Sequence, residues 1–341
     1  MRAFRIQIAG EDGSSFGCES NDTILSGALR SRVGLPYECN SGGCGSCQFE
    51  LLEGELLDKW DEAPGLSARA RERGRRLACQ SMPTSDCVIR ASTNARNIPP
   101  IIPWRQSARL VEVRHLTQDM AEFCFLSNEA ADFMPGQYAM LQLPGMNSLR
   151  AYSMSNLPNE AGEWHFIIKQ VPGGEATNVL FDELSSGSEV LLDVPYGNGY
   201  LRSDTRRDIV CVAGGSGVSP ILSILRAAVR DPHLEGRQFH FFYGGRGPQD
   251  LRVLSVIADD PLLSERVVMH TAISDDKAPD ASQWEGERGF IHELVRKELD
   301  AGLTEFDYYF CGPPAMTDAV QRMLLIDHRV PGGQLYFDRF Y

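Results

Sequence analysis

Four of the nine cysteines are spaced in a way that demands chemistry. The run Pro36-Tyr-Glu-Cys39-Asn-Ser-Gly-Gly-Cys44-Gly-Ser-Cys47 is followed, after thirty-one intervening residues, by Cys79. C-x4-C-x2-C with a distant fourth Cys is the spacing that sets four thiolates around the two irons of a [2Fe–2S] centre. Such a centre also needs backbone N–H groups turned toward its sulfides. Gly42, Gly43 and Gly45 are expected to wrap the loop at positive φ, where a Cβ would clash. A structural zinc site is the rival reading, but zinc favours two C-x2–4-C knuckles and only Cys44/Cys47 forms a close pair. A catalytic thiol would need a base, and no His lies near. Cys87 is the alternative fourth ligand; the setting Leu77-Ala-Cys79-Gln is preferred.

Further candidates lie downstream. Arg150-Ala-Tyr152-Ser153 offers a guanidinium for a diphosphate, an aromatic face and a hydroxyl, a set suited to a flavin. Ile168-Lys169 and Pro172-Gly-Gly174-Glu-Ala-Thr177 follow, and Gly174 with Thr177 can open a helix whose N-terminus faces phosphate. An apolar run Ile209–Ala213 enters Gly214-Gly215-Ser216-Gly217-Val-Ser-Pro220. Glycines between a strand and a helix let a dinucleotide's pyrophosphate approach the backbone. Pro220 stands where a third Gly would complete G-x-G-x-x-G, and Pro suits a first helical position. Val218 excludes a G-x-S-x-G nucleophile elbow. Phe310-Cys311-Gly312-Pro313-Pro314 ends the last expected parallel strand, where ligands of open α/β sheets bind. Cys311 there is either a nicotinamide contact or a core residue.

Positioning these groups requires several units. A length of 341 residues suggests two or three domains. Apolar content of 43% and charged content of 23% are those of an ordinary globular chain. Residues 1–91 read as one unit: a strand Phe4–Ile8, a turn at Gly10–Gly13, a strand leading to Glu19, and a helix Thr23–Arg32 capped by Asp22 and stopped by Gly34. Leu66–Gly74 reads as an Arg-rich helix. It is either a docking patch or, as preferred, a solvated face with Glu72 paired to Arg69 and Arg76. Residues 92–103, with three prolines, read as a semi-rigid extended linker. Short apolar runs broken by Gly and Pro over 104–204 predict an all-β barrel or sandwich. Alternating strands and helices over 207–341 predict a doubly wound α/β domain with a mainly parallel sheet.

A net charge of −13 argues against nucleic acid as a partner and is compatible with a basic protein, which Glu38, Glu50, Glu53 and Glu55 near the cysteine loop could meet. No apolar run reaches the roughly 20 residues of a membrane span, and the N-terminus alternates like a strand rather than a signal peptide. A cytoplasmic monomer is expected, with thiols reduced.

Taken together, the cysteine loop, R-x-Y-S, G-G-S-G-x-x-P and C-G-P-P, in this order, resemble the reductase components of bacterial multicomponent oxygenases. These include the reductases of toluene, phenol and alkene monooxygenases and of carbazole-type dioxygenases. The resemblance spans essentially the whole chain, including Phe337-Asp-Arg-Phe-Tyr341. It implies a β-grasp [2Fe–2S] ferredoxin domain, an FAD-binding antiparallel β-barrel and an NAD(P) domain. It also implies electron flow from NADH through FAD and the [2Fe–2S] cluster to an oxygenase or its ferredoxin. Cys39, Cys44, Cys47 and Cys79 would hold the cluster. Arg150, Tyr152, Ser153, Ile168, Lys169, Gly174, Thr177, Phe340 and Tyr341 would face FAD. Gly214, Gly215, Ser216, Gly217, Pro220, Cys311, Gly312 and Pro313 would face NADH. Arg246 bears on NADH versus NADPH, with NADH favoured. Two positions depart from the pattern: Val194 replaces the first Gly of G-P-Y-G, and Thr177 replaces a Ser. A CDP-sugar deoxygenase reductase shares this domain order, and a zinc-bound binding module is the alternative outside redox chemistry.

Overall fold

A computed structural model describes residues 2–10, 13–146 and 148–340. The middle of the expected Gly10–Gly13 turn and Tyr341 lie outside the described residues.

The first unit is a five-stranded sheet in the order Ser15–Glu19, Ala3–Ile8, Cys87–Arg90, Gln48–Glu53, Arg75–Leu77. Ala3–Ile8 buries Phe4, Ile6 and Ile8 on one face, the period of two that the sequence shows. The helix Ile24–Arg30 covers that face with six buried residues. The first strand runs parallel to Cys87–Arg90 and the remaining pairs are antiparallel, the β-grasp arrangement. The helix cap is Thr23, whose hydroxyl accepts from Ser26 N–H. Asp22 was expected there, but its carboxylate instead turns to Arg30 and Arg105. The Arg-rich helix is short, Ala68–Glu72, and is capped by Ser67. Arg76 pairs with Asp58 rather than Glu72.

Residues 92–103 are less extended than expected. Ala95–Asn97 forms a 3-10 turn, and Asn94 N–H donates to Gly34 O at 2.9 Å. Gly34 is needed for that contact, since a Cβ would lie 2.1 Å from Asn94 O.

The second unit is a six-stranded antiparallel sheet, ordered Leu149–Ser153, Tyr138–Gln142, Glu189–Tyr196, Trp104–His115, Met120–Ser127, Glu163–Lys169. A bridge between Met154 and Phe166 joins its two ends and closes the barrel. Phe123, Phe125, Trp164 and Phe166 fill the interior.

The third unit is a parallel sheet of six strands, ordered Glu287–Arg288, Val267–Ile273, Phe239–Gly245, Asp208–Gly214, Phe306–Gly312, Leu335–Arg339. Phe306–Gly312 is therefore not the last parallel strand. The C-terminal Leu335–Arg339 adds an edge beyond it, with Phe310 and Phe337 stacked across the pair. Strand order reverses between Asp208–Gly214 and Phe306–Gly312, the switch point at which such sheets bind ligands. Among the described residues, no helix is long and apolar enough to cross a membrane.

The first two units are joined by buried charge. Arg30 Nη2 reaches both Asp193 oxygens at 2.7 Å, and its Nη1 meets Asp22. Arg105 bridges the same two carboxylates, which are almost wholly buried. Asp193→Ala leaves the two arginines with one shared carboxylate, Asp22, in place of two. It should lower stability by about 3 kcal/mol. Glu50→Ala, at the exposed pair with Arg90, should cost at most about 0.5 kcal/mol. Guanidinium unfolding midpoints of the two variants check the contrast; equal midpoints would contradict it.

Candidate functional site

The cysteine loop leaves the helix Ile24–Arg30 and re-enters the sheet at Gln48. Cys79 sits in the turn after Arg75–Leu77, where Ala78 N–H donates to Cys47 O at 2.9 Å and fixes the turn against the loop. The thiols meet as two pairs. Cys47 and Cys79 sulfurs lie 3.4 Å apart, and Cys39 hydrogen-bonds Cys44. In each pair the shared proton pulls one thiol down and pushes its partner up: Cys39 and Cys47 are lowered, Cys44 and Cys79 raised. Four sulfurs this crowded suit cations, and two pairs suit two irons taking two thiolates each. Backbone N–H groups of Ser41 and Cys44 already point at Cys39 Sγ, and Ser46 N–H at Cys44 Sγ, each at 3.4 Å. Gly42 and Gly45 take positive φ as expected, but the third such residue is Asn40 rather than Gly43. At Gly45 a Cβ would fall 2.4 Å from Gly65 O. Cys87 is remote from this cluster, its thiol turned to Ser85 O and Glu55 O.

Beside the loop lies a cavity of about 520 Å³ in which all three units meet. Glu38, Cys39 and Ser41 come from the first unit. Tyr138, Arg150, Tyr152, Ser153, Ile168, Lys169, Gly174 and Thr177 come from the barrel. Ser216, Ser219, Asp338, Arg339 and Phe340 come from the third. Burial raises the Tyr152 phenol to about 12, so it presents a neutral face. Ser219 Oγ donates to Ser153 O at 2.7 Å and accepts from Ile167 N–H at 3.1 Å, pinning the Gly-rich turn to two barrel strands.

Some candidates sit differently from expectation. Thr177 keeps its hydroxyl, but that group is engaged by Val171 N–H and Gly174 O within its own loop. The helix opened by Gly174 is a single turn, Glu175–Asn178, continuing as a π-helix. Pro220 is the third residue of the helix Val218–Ala228, not the first.

A second cavity, of about 570 Å³, opens at the switch point. Gly214, Gly215, Arg246 and Pro313 line it, with Asp250, Ser274, Phe290 and Met316. Lys169 borders both cavities. The two glycine turns support each other. A Cβ on Gly217 would lie 2.1 Å from Cys311 O, and one on Gly312 would lie 3.0 Å from Gly214 O. Gly217, Pro220, Cys311 and Gly312 stand behind the walls of the two cavities and line neither. Cys311 is buried in the core, its thiol pushed up by burial.

No place in the first cavity was expected for Glu38, Ser219, Asp338 or Arg339. Asp338 Oδ2 is buried against the first cavity without a hydrogen-bond partner. Burial, then Glu38 and Cys39, raise its carboxyl well above the usual range. A polar ligand group would satisfy that orphan. Arg339 reaches Glu38 at 2.7 Å, and Tyr138 donates to Glu38 O at 2.8 Å, so the residue before Cys39 is held from two units. An acid inside the apolar Leu335–Arg339 stretch was the available signal for Asp338.

Comparison with known proteins agrees with this geometry. Residues 6–84 match the 2Fe-2S iron–sulfur cluster binding domain, 107–200 the oxidoreductase FAD-binding domain and 211–322 the oxidoreductase NAD-binding domain. The chain is 39% identical to ferredoxin–NAD(P)+ reductase CarAd of Metapseudomonas resinovorans, covering 99% of this chain and 100% of that one. It is 38% identical to the ferredoxin–NAD+ reductase component of the alkene monooxygenase system of Xanthobacter autotrophicus, over 96% of this chain and 98% of that one. The solved ferredoxin reductase of carbazole 1,9a-dioxygenase superposes with a TM-score of 0.91 at 36% identity, covering 100% and 99% of the two chains. These matches favour neither the zinc module nor the sugar-deoxygenation reading.

Cys79→Ser should abolish the cluster's visible absorption and its low-temperature EPR signal while flavin absorption persists, and Cys87→Ser should preserve both. A Cys79→Ser protein with an intact cluster signal would exclude Cys79 as a ligand. With three cofactor domains in order, matched from end to end, the chain belongs to the family of iron–sulfur flavoprotein ferredoxin–NAD(P)+ reductases that includes the reductase components of multicomponent oxygenases.

Proposed function

We propose that the chain draws electrons from NADH and delivers them singly, through FAD and the [2Fe–2S] cluster, to an oxygenase or its ferredoxin. One observation carries the direction of flow: the cavity whose walls suit a flavin is also lined by the cluster ligand Cys39. When bound, a flavin exchanges two electrons with nicotinamide and one at a time with an iron–sulfur centre. The chain's own residues supply position. Arg150, half-exposed at the cavity mouth, offers its fork to the diphosphate, and Glu175 stands 3.7 Å away as its present counter-charge. Tyr152 and Phe340 offer apolar faces, and Ser153 and Lys169 polar groups, to the ring. Gly214, Gly215 and Pro313 leave room for a dinucleotide at the neighbouring cavity, and Lys169 marks the border where the two ligands would meet. Ser216 reaches the flavin side of that border. Gly217, Pro220, Cys311 and Gly312 act by shaping the turns behind it.

The ranges 1–91, 104–204 and 207–341 are taken as the iron–sulfur, flavin and nicotinamide units, with 92–103 as the connection; each large sheet falls within one range. Location in the cytoplasm and a monomeric state complete the reading.

NADH is favoured over NADPH because Asp250 faces the nicotinamide cavity. Its carboxylate accepts from Arg246 N–H at 2.7 Å, and a 2′-phosphate would meet that negative charge beside the Arg246 guanidinium. The expected kcat/KM ratio is at least about tenfold in favour of NADH. Steady-state rates with both nucleotides check it, and equal or reversed values would reject the preference. Anaerobic NADH should bleach the flavin and then the cluster. Flavin bleaching with a cluster that stays oxidised would overturn the proposed order.

A further inference from the structure

The cluster loop does not face solvent evenly. Cys39, Cys47 and Cys79 are buried, whereas Cys44 is half-buried and Ser46 is exposed. Cys39 faces the flavin cavity and Cys79 borders a cleft with Trp60 and Gln80, and Cys44 is the least buried of the four. Directly beside the Cys44 edge runs Gly65. Its N–H donates to Gly42 O at 2.9 Å, and its carbonyl accepts from Gln48 Nε2 at 3.2 Å. Two residues later begins Ser67-Ala-Arg69-Ala-Arg71-Glu-Arg73-Gly-Arg75-Arg76.

This segment is chemically at odds with the rest of the molecule. It carries five arginines and one glutamate in a chain of net charge −13. Its helix, Ala68–Glu72, has no buried residue, so packing does not explain its composition. The solvated-face explanation required Glu72 to pair with Arg69 and Arg76, and neither pair forms. Arg76 alone is matched, by Asp58 at 3.0 Å. Among the described residues, Arg69, Arg71, Arg73 and Arg75 carry no ion pair, and Arg69, Arg73 and Arg75 are exposed. A helix C-terminus favours a nearby cation, but this does not account for four of them.

We infer that Arg69, Arg71, Arg73 and Arg75 form the docking surface for a small acidic electron-carrier protein, which they seat against the Cys44 edge of the cluster. The inference rests on the proposal that the cluster delivers electrons to a separate protein. Charge complementarity identifies the occupant: a local positive patch on a negative molecule selects a negative partner and orients it. A single short helix with its flanks suits the small interfaces of transient redox encounters. Such a contact favours rapid turnover over residence.

Ionic strength separates this from the alternative without any mutation. If net charge governed encounter, an acidic partner would be repelled and salt would speed its reduction; if the patch steers, salt slows it. The experiment uses the full holoprotein, NADH and an acidic Rieske-type ferredoxin, whose potential lies above that of a plant-type cluster. Wild-type kcat/KM for this ferredoxin should fall as salt rises. The quadruple variant R69Q/R71Q/R73Q/R75Q should lose about tenfold in kcat/KM at low salt, mainly through KM. Its salt dependence should flatten or invert. NADH–ferricyanide turnover and anaerobic reduction of the variant's own cluster should stay at wild-type levels. Unchanged kcat/KM in the variant, or wild-type reduction that accelerates with salt, would overturn the docking surface while leaving the electron-transfer reading intact. A wild-type cluster that NADH reduces but that passes nothing to the ferredoxin at any salt would overturn both.

Discussion

Everything proposed for this molecule depends on the cluster loop staying against the flavin cavity, and a few charged contacts hold it there. Arg339, near the end of the chain, reaches Glu38, and Glu38 immediately precedes Cys39. Tyr138 of the barrel grips the Glu38 carbonyl, and Tyr37 accepts from Gly197 N–H on the same side. Across the interface, Arg30 and Arg105 share Asp22 and Asp193. An apolar interface would tolerate many angles between the two units. Two guanidiniums bridging two buried carboxylates restrict the angle, because all four ion pairs must form together. Electron transfer needs such a fixed short separation more than it needs affinity.

The third unit reaches the site by a different device. Its sheet reverses order beside Asp208–Gly214, which opens a crevice at the carboxyl ends of the strands. The helix that follows is then fastened to the barrel by Ser219 on Ser153 O and Ser223 on Asn156 O, each at 2.7 Å. The same short segment therefore bounds the nicotinamide cavity, bounds the flavin cavity and fixes the two units in register. Gly217 has no alternative at its position, since any Cβ would enter Cys311 O. Cys311 thus matters through its carbonyl and its burial, although its place at a strand end suggested a ligand contact.

What the sequence made legible was local. Cys39, Cys44, Cys47 and Cys79 follow a spacing dictated by two metal ions and a tight loop. Apolar periodicity marked most strands of all three sheets, and strand–glycine–helix punctuation marked the switch point. The misses share one physical cause. Glu38 and Arg339 lie three hundred residues apart, and neither carries a local pattern that names the other. No strand was expected around Asp338, because its partner strand is Phe306–Gly312 rather than a neighbour in sequence. Thr177 and Asp22 were placed near their true positions but with the wrong partners, since a hydroxyl or carboxylate serves whichever donor the tertiary fold brings closest. The pairing of Glu72 failed for the same reason: Asp58, from another strand, reached Arg76 first.

The unequal burial of the four cysteines gives the molecule its polarity. A centre enclosed on every side would be stable but unable to pass electrons on, and one exposed on every side would lose them to any oxidant. Here Cys47 is sunk in the core of the first unit, among Ile24, Leu25 and Phe49, and Cys79, also buried, borders a cleft with Trp60 and Gln80. Cys39 is covered by the flavin cavity, and Cys44 approaches solvent. In the proposed path, entry and exit then lie on different ligands of one cluster. The partner that collects electrons need not compete with the flavin for the same face, and the tight contacts around Glu38 need not open for delivery.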